Sequence, residues 1–278
     1  MKQNEICQII LPLNTKIIDS MTLFVRIQNF IKYKLVPPHN MFKHKAERFY
    51  FEEYYRIIQP YLIKDNKLLD IGCQNGRFTV PAAKAGMTIT STDIKKTYFS
   101  FIEKQIPASH IDFRLEGIDE SMDLLPKSHY DVVLCLELLY NLPSPLEKIK
   151  RLSELAQNNG VLCISHRTIG YYLYRFIKEN DFENIEKILN GTHPDYNAQS
   201  IEQIRQMYHS AGLKIESITP IGMFSGFGKD AFSQIANPKK QNKKQNTSLL
   251  SLETNNELFD MFGNCARYIL VVAKKINS

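Results

Sequence analysis

The sequence predicts a doubly wound α/β fold, in which helices cover both faces of a mainly parallel sheet. Three observations support this prediction. Apolar runs alternate with helix-like segments from residue 68 onward, two glycines interrupt the chain after the first run, and a carboxylate ends the second run. Strands that are separated by helices pair in parallel through right-handed crossovers. With 278 residues, 44% of them hydrophobic, the chain can bury one large core.

Two helices are predicted before the sheet. Between residues 17 and 31, apolar residues recur at spacings of three and four, with basic residues elsewhere around the helix. The prolines of "VPPHN" end this helix, and a second one runs from about residue 45 to 61. Residues 1–50 carry eight Lys or Arg and three Asp or Glu, which accounts for +5 of the net charge of +6. We therefore expect a basic amphipathic arm at residues 1–44 and one large domain at residues 45–278.

Within this domain, the pattern predicts strands and helices in a regular order. Strands are expected at 68–71, 88–92, 111–115, 131–136, 160–165, 214–222 and 267–274, and helices from 77, at 95–105, 145–157, 171–190 and 199–211. Residues 237–260 are polar, lysine-rich and without periodicity, so we expect a mobile insertion there.

Composition limits the setting in which the chain works. The five cysteines form no CxxC pair, which favours a reducing, cytoplasmic compartment. We expect no secretory signal, and no apolar run of about 18 residues predicts a membrane span. The seven histidines show no metal-ligand spacing with Cys, Asp or Glu, so no metal site is expected.

The stretch "LLDIGCQNGRFTV", residues 68–80, is the strongest local signal. Gly72 allows a tight turn after the first strand, and Gly76 allows the next helix to pack closely against that strand. Asp93 ends the second strand, where a carboxylate can accept hydrogen bonds from both hydroxyls of a ribose. A dinucleotide fingerprint fails, because Gln74 and Arg77 stand where glycines are required. Together these residues predict a site for a nucleoside cofactor.

This turn resembles the first motif of class I S-adenosylmethionine-dependent methyltransferases, D/E-x-G-x-G-x-G, with matches at Asp70, Gly72 and Gly76 and a departure at Gln74. The resemblance implies a seven-stranded Rossmann-like sheet and S-adenosyl-L-methionine as the cofactor. It implies cofactor contacts from Asp70, Gly72, Cys73, Gln74, Gly76, Asp93, Ile94, Asp119 and Leu136. The alternatives are a strand-to-helix turn without a ligand and, at the cofactor base, a contact from the Ile118 backbone in place of Asp119, or a solvated loop carboxylate at Asp119.

The C-terminal half is similar to the O-methyltransferases of ubiquinone biosynthesis. The matching positions are Gly191, Thr192, His193, Gly212, Gly222 and Met223. This similarity implies O-methylation of a hydroxylated small molecule, with a lipid-soluble acceptor as one option. His166 and His193 are then the candidate catalytic bases, since imidazole titrates near neutral pH. A structural histidine is the alternative at both positions.

Two other functions compete with this interpretation. The isoelectric point near 8.9 and the lysines at 239–244 suggest an RNA methyltransferase as an alternative. Because the sequence has no recognisable RNA-binding motif, a nucleic-acid partner is not favoured. A non-catalytic binding protein with this fold is the other alternative.

The basic arm and the aromatic stretch at 169–178 also predict peripheral contact with anionic membrane surfaces.

Overall fold

The computed structural model describes residues 45–106, 111–226 and 231–276. The amphipathic arm predicted for residues 1–44 lies outside the described residues. Helix α1 (Lys45–Ile58) and a short 3-10 helix (Gln59–Tyr61) precede the sheet, as the sequence predicted for residues 45–61.

A seven-stranded mixed sheet forms the centre of the described residues. Its strands are β1 (Lys67–Ile71), β2 (Thr88–Thr92), β3 (Ile111–Arg114), β4 (Tyr130–Cys135), β5 (Ala156–His166), β6 (Leu213–Ile221) and β7 (Tyr268–Lys275). Their order is β3-β2-β1-β4-β5-β7-β6, with β1 to β5 parallel and β7 antiparallel to both of its neighbours. The strand order reverses between β1 and β4, where open α/β sheets bind ligands.

Helices connect successive strands and confirm the doubly wound prediction. They are α2 (Thr79–Lys84), α3 (Lys96–Glu103), α4 (Ile118–Leu124), α5 (Pro145–Leu155), α6 (Ile169–Glu179), α7 (Phe182–Leu189), α8 (Ile201–Ser210), α9 (Lys243–Glu253) and α10 (Asn256–Phe262). Helices α4, α9 and α10 were not predicted.

The core lies on both faces of the sheet because its central strands are apolar on both sides. In β4, Val133 and Cys135 pack into the cluster on one face, whereas Val132 and Leu134 pack into the cluster on the other. Strands that are buried on both faces read as continuous apolar runs, which is the pattern that the sequence shows.

The prediction of one helix over residues 171–190 is wrong, because the chain breaks between α6 and α7. Asn180 adopts a left-handed conformation with φ +54°, and the Asp181 side chain then caps α7 by accepting a hydrogen bond from the Asn184 amide. The aromatic stretch is also only partly at the surface. Tyr172 and Phe176 are buried in a small core of their own, so only part of the predicted membrane-facing surface is exposed.

Residues 237–260 are not the irregular insertion that the sequence predicted. Helix α9 begins with a capping box, in which Asn242 and Gln245 satisfy each other's backbone amides. Its last residue, Glu253, is fully buried and accepts hydrogen bonds from the amides of Met223 and Phe224. Apolar periodicity does not reveal a segment that is anchored by a buried carboxylate, because the anchor is itself a polar residue.

Within the part of the chain that the structure describes, no helix combines the length and the apolar character needed to cross a bilayer.

We predict that Gly76→Ala lowers the free energy of unfolding by roughly 2–5 kcal/mol, since left-handed backbone costs about 1–2 kcal/mol and overpacking adds about 1–3 kcal/mol. Gly76 has φ +76°, and an added Cβ would lie 2.6 Å from Ile102 Cγ1. Urea unfolding followed by circular dichroism measures the loss.

Gly191→Ala is the matched control for this substitution. Gly191 has φ +66°, but an added Cβ would meet no atom within 4 Å. This variant should therefore lose only the conformational part, about 1–2 kcal/mol. Equal losses in the two variants would show that close packing against Ile102 does not matter.

Candidate functional site

The turn between β1 and α2 has a backbone that ordinary residues adopt only at a cost. Gly72, Gln74 and Gly76 have φ values of +74°, +44° and +76°. Glycine adopts these values freely, whereas Gln74 is held there against its preference. The missing middle glycine of the motif therefore leaves the turn intact, and the conformation must be enforced by neighbouring contacts.

Asp93 supplies the contact that holds Gln74. The Gln74 amide donates to Asp93 Oδ2 at 3.0 Å, and the Lys95 amide donates to Asp93 Oδ1 at 3.0 Å. Burial raises the pKa of this carboxyl above its ordinary value, and the two amide hydrogen bonds oppose that rise. Each carboxylate oxygen has a further lone pair, so Asp93 can both fix the turn and accept from ribose hydroxyls.

Asp70 holds the helix that follows the turn. The Thr79 hydroxyl, at the start of α2, donates to Asp70 Oδ2 at 2.6 Å and lies 3.0 Å from the Ser91 hydroxyl. Burial raises the pKa of Asp70 to about 6, although the Thr79 hydrogen bond opposes this shift. The structure thus gives Asp70 a role in joining β1, β2 and α2.

The amides of the turn are used within the protein. Those of Gly72 and Cys73 donate to the Thr92 carbonyl, and that of Gly76 donates to the Cys73 carbonyl. The Cys73 side chain packs in a small apolar cluster, and burial raises the pKa of its thiol. These three amides are therefore engaged within the protein and are not free to bind a ligand. The turn is instead rigid before any ligand binds.

Apolar residues border the turn on two sides. Ile94 directly follows Asp93 and is 72% exposed, and its Cγ2 lies 3.9 Å from the position that a Cβ on Gly117 would take. At the end of β4, Leu136 is buried, and Leu138 Cδ2 lies 3.3 Å from the position of a Cβ on Gly72. An exposed isoleucine beside a carboxylate that can accept hydrogen bonds from a ribose fits the planar base of a nucleoside, because aromatic faces bind apolar surfaces.

Asp119 does not join these residues through its side chain. Its carboxylate forms ion pairs with Lys148 and Arg151, both on helix α5. The side chain therefore ties α4 to α5, and the predicted contact with the cofactor base is not supported. The sequence could not show this, because Lys148 and Arg151 lie 29 and 32 positions further along the chain.

Sequence reasoning missed a buried chain of polar groups that starts at the turn. Arg77 Nη1 donates to Glu137 Oε1 at 3.2 Å, the Tyr268 hydroxyl donates to Glu137 Oε2 at 3.3 Å, and Arg167 Nη2 donates to the Tyr268 hydroxyl at 2.7 Å. Burial alone would raise the pKa of Glu137, but the adjacent Arg77 guanidinium outweighs it and holds the pKa below its ordinary value. Glu137 is therefore an ionised carboxylate at the end of β4.

Aromatic rings surround Arg167, the last residue of this series of polar side chains. The guanidinium carbon of Arg167 lies 4.0 Å from the ring centroid of Tyr171, 4.2 Å from that of Tyr268 and 4.7 Å from that of Tyr140. The rings of Tyr54 and Tyr140 also pack against Tyr268. The only sequence signal was the aromatic stretch at 169–178, which we interpreted as a surface feature.

His166 is a structural histidine. It is fully buried, and its Nε2 lies 3.0 Å from the Tyr208 hydroxyl on α8. Burial lowers its pKa to about 4, which Gln199 partly opposes. On β5, His166 lies on the same face as Leu162 and Ile164, which pack in the cluster that contains Tyr208 of α8. Ser165 lies on the opposite face, where its hydroxyl accepts a hydrogen bond from the Glu137 amide. The prediction of a catalytic base at His166 is therefore not supported.

His193 lies on the loop after α7, apart from the turn residues. Its ring packs against Phe176 and Tyr196, and its Nδ1 accepts a hydrogen bond from the Asp195 amide at 3.2 Å. It lines an open cleft of about 490 Å³ between residues 141–145 and 191–197. Partial burial lowers its pKa. These contacts account for a histidine that shapes the loop, and a catalytic role remains a prediction.

Among the described residues, no cluster of three or more His, Cys, Asp or Glu side chains is arranged to hold a metal ion.

Comparison with known proteins shows which class of enzyme this chain is similar to. A family model described as a methyltransferase domain matches residues 42–218. The ubiquinone biosynthesis O-methyltransferase of Coxiella burnetii is 28% identical over 169 residues, which cover 59% of this chain and 70% of that protein. The protein of the same name from Nitrosospira multiformis is 26% identical over 160 residues, which cover 56% of this chain and 65% of that protein.

Solved structures share the fold. A SAM-dependent methyltransferase from Archaeoglobus fulgidus aligns with a TM-score of 0.54 at 16% identity, covering 92% of this chain and all of that one. An S-adenosylmethionine-dependent methyltransferase from Mesorhizobium loti aligns with a TM-score of 0.53 at 13% identity, covering 80% of this chain and 97% of that one.

We predict that Asp93→Asn weakens the binding of S-adenosylmethionine about 10- to 100-fold, because hydrogen bonds from ribose hydroxyls to a charged acceptor would be lost. Titration calorimetry measures the dissociation constant. Asp112→Asn, which changes an exposed carboxylate on β3 that pairs with Arg114, is the control and should bind normally. An unchanged constant for the Asp93 variant would reduce Asp93 to a residue that only holds the turn.

We predict that His166 makes the protein less stable as the pH falls from about 6.5 to 4. In this range the unfolded chain binds a proton on the imidazole but the folded protein does not, so stability rises with pH by at most about 1.4 kcal/mol per pH unit. Asp70 acts in the opposite sense, because its folded pKa of about 6 lies above the ordinary value near 4.

Comparing His166→Phe with the wild type isolates the histidine contribution, because Asp70 is present in both proteins. The wild type should lose more stability than the variant between pH 6.5 and 4, as measured by urea unfolding at each pH. Identical pH dependence in the two proteins would mean that His166 has the same pKa in the folded and unfolded states.

Proposed function

Because this chain belongs to the methyltransferase-domain family, we propose that it transfers a methyl group to the hydroxyl of a small aromatic molecule. It is an S-adenosylmethionine-dependent methyltransferase, and its family model covers most of the described sheet. Oxygen as the accepting atom is supported by the names of its relatives, the ubiquinone biosynthesis O-methyltransferases.

The chain's own residues fit this cofactor. Asp93 has unused lone pairs for the ribose, Ile94 offers an exposed apolar side chain to the base, and the turn of Gly72 and Gly76 is fixed in advance. When bound, S-adenosylmethionine supplies a methyl group on a positively charged sulfur. The protein then mainly has to place the acceptor oxygen in line with that methyl group.

The observation that carries the proposal is the ring-lined polar chain beside the turn. Arg77 belongs to the turn itself, and the series of hydrogen-bonded side chains runs from it through Glu137 to Tyr268. The carboxylate of Glu137 can accept a hydrogen bond from an acceptor hydroxyl and so orient its oxygen. Tyr140, which is only half-buried, presents aromatic surface beside Tyr268, and this surface suits a flat acceptor.

A panel of phenols and catechols, incubated with the protein and methyl-labelled S-adenosylmethionine, tests this proposal. We expect labelled methyl ethers with at least one acceptor and none with Asp93→Asn at low cofactor concentration. Transfer of the labelled methyl group to total RNA alone would establish the RNA methyltransferase alternative, which the exposed lysines around residue 240 suggested. Cofactor binding without transfer to any acceptor would favour the non-catalytic alternative.

Peripheral membrane contact is a second part of the proposal. Helices α6 and α7 expose the apolar residues Ile177, Phe182 and Leu189, and Lys178 and Lys187 lie beside them. Apolar side chains next to cations suit an anionic bilayer surface, where a lipid-soluble acceptor would reside.

We predict weak co-sedimentation of the protein with anionic vesicles and less with neutral ones. Changing Ile177 and Phe182 together to Ser should weaken it, whereas Ile63→Ser, an exposed residue before β1, should not. Deleting residues 1–40 tests the contribution of the predicted arm. A protein that stays in the supernatant with both lipids would remove the membrane from the proposal.

A further inference from the structure

Arg167 is a buried cation whose guanidinium is only partly satisfied by the described residues. It follows β5 and is only 7% exposed, and its backbone is held by a hydrogen bond from the Gln199 amide to its carbonyl. Its Nη2 donates to the Tyr268 hydroxyl, whereas Nε and Nη1 have no hydrogen-bond partner. Within residues 45–106, 111–226 and 231–276, no carboxylate forms an ion pair with it.

The surrounding rings stabilise the cation but cannot satisfy its N–H groups. Tyr171, Tyr268 and Tyr140 lie between 4.0 and 4.7 Å from the guanidinium carbon, within the range of cation–π attraction. Ring faces are poor substitutes for oxygen acceptors, and an unsatisfied N–H on a charged group is costly when buried. The remaining donors therefore point to an acceptor that the described residues do not supply.

The charges along the polar chain lead to the same conclusion. Arg77, Arg167 and Arg267 all favour the ionised form of Glu137, which is paired directly with Arg77. Arg167 reaches Glu137 only through the Tyr268 hydroxyl. Because one carboxylate faces three guanidinium groups, the described residues leave an excess of positive charge that suits an added anion.

We propose that Arg167 binds a carboxylate of the methyl acceptor, so that the substrate is a hydroxylated aromatic carboxylate. This inference rests on the proposed function. A guanidinium matches the geometry of a carboxylate, and the hydroxyl to be methylated would lie toward Glu137 and the turn. Tyr140 is the least buried of the three rings and is the one that would turn aside to admit the ligand.

Binding of matched probes tests the inference without requiring turnover. Titration calorimetry compares 3,4-dihydroxybenzoate with 3,4-dihydroxybenzamide on protein saturated with S-adenosylhomocysteine. We expect the carboxylate to bind at least tenfold more tightly than the amide. Arg167→Gln should bring the two within about twofold of each other, and Arg167→Lys should retain part of the preference. Arg175→Gln, which changes an arginine of α6 that pairs with Glu179, should retain all of it.

Several results would overturn the inference. Equal binding of the two probes by the wild type, or no binding of the carboxylate, would make Arg167 a structural residue, and this comparison does not depend on the folding of any variant. If Arg167→Gln weakens S-adenosylhomocysteine but leaves the probe preference unchanged, the missing carboxylate belongs to the cofactor.

The proposed function fails separately from this subsite. Methyl transfer to neutral catechols without preference for a carboxylate would keep the function and overturn the subsite. Selective binding of the carboxylate without methyl transfer to any acceptor would keep the subsite and overturn the function.

Discussion

The ion pair between Arg77 and Glu137 is the constraint on which the geometry of the site depends. Arg77 ends the glycine turn after β1, and Glu137 directly follows Leu136 at the end of β4, so the pair closes the edge where the strand order reverses. Both side chains are mostly buried, with 15% and 18% of their surface exposed. Removal of either one leaves an uncompensated charge, which costs more than the pair gains by forming.

This pair places the glycine turn and the proposed acceptor region in one hydrogen-bonded unit. Glu137 is held with φ +57°, a strained value for a residue with a side chain, and its carboxylate receives both Arg77 and the Tyr268 hydroxyl. On the other side of the turn, Asp93 holds Gln74 in a similarly unfavourable conformation. The strained backbone at Glu137 and at Gln74 is tolerated because buried polar contacts hold each of them. A turn that is already rigid also loses less entropy when a ligand binds.

The sequence was sufficient for the features that depend on local pattern. The apolar runs predicted the strands, and Gly72, Gly76 and Asp93 predicted the tight turn and the strand-end carboxylate that we propose as the cofactor site, because turn geometry and strand ends leave local signals. Features that depend on distant partners were missed or misassigned. Asp119 pairs with α5, His166 packs against Tyr208, and Glu253 anchors α9 to the loop after β6. The role of Arg167 likewise becomes visible only when Tyr268, 101 positions away, is brought beside it.

A double-mutant cycle on Arg77 and Glu137 tests the central claim most directly. The dissociation constant of S-adenosylhomocysteine and the free energy of unfolding would be measured for Arg77→Met, Glu137→Gln and the double variant. If the pair holds the turn, each single change raises the dissociation constant and lowers the free energy of unfolding. In both the binding and the unfolding free energy, the loss in the double variant is then smaller than the sum of the single losses by at least about 1 kcal/mol. Additive losses in both measurements would show that the two residues act independently and would contradict the account.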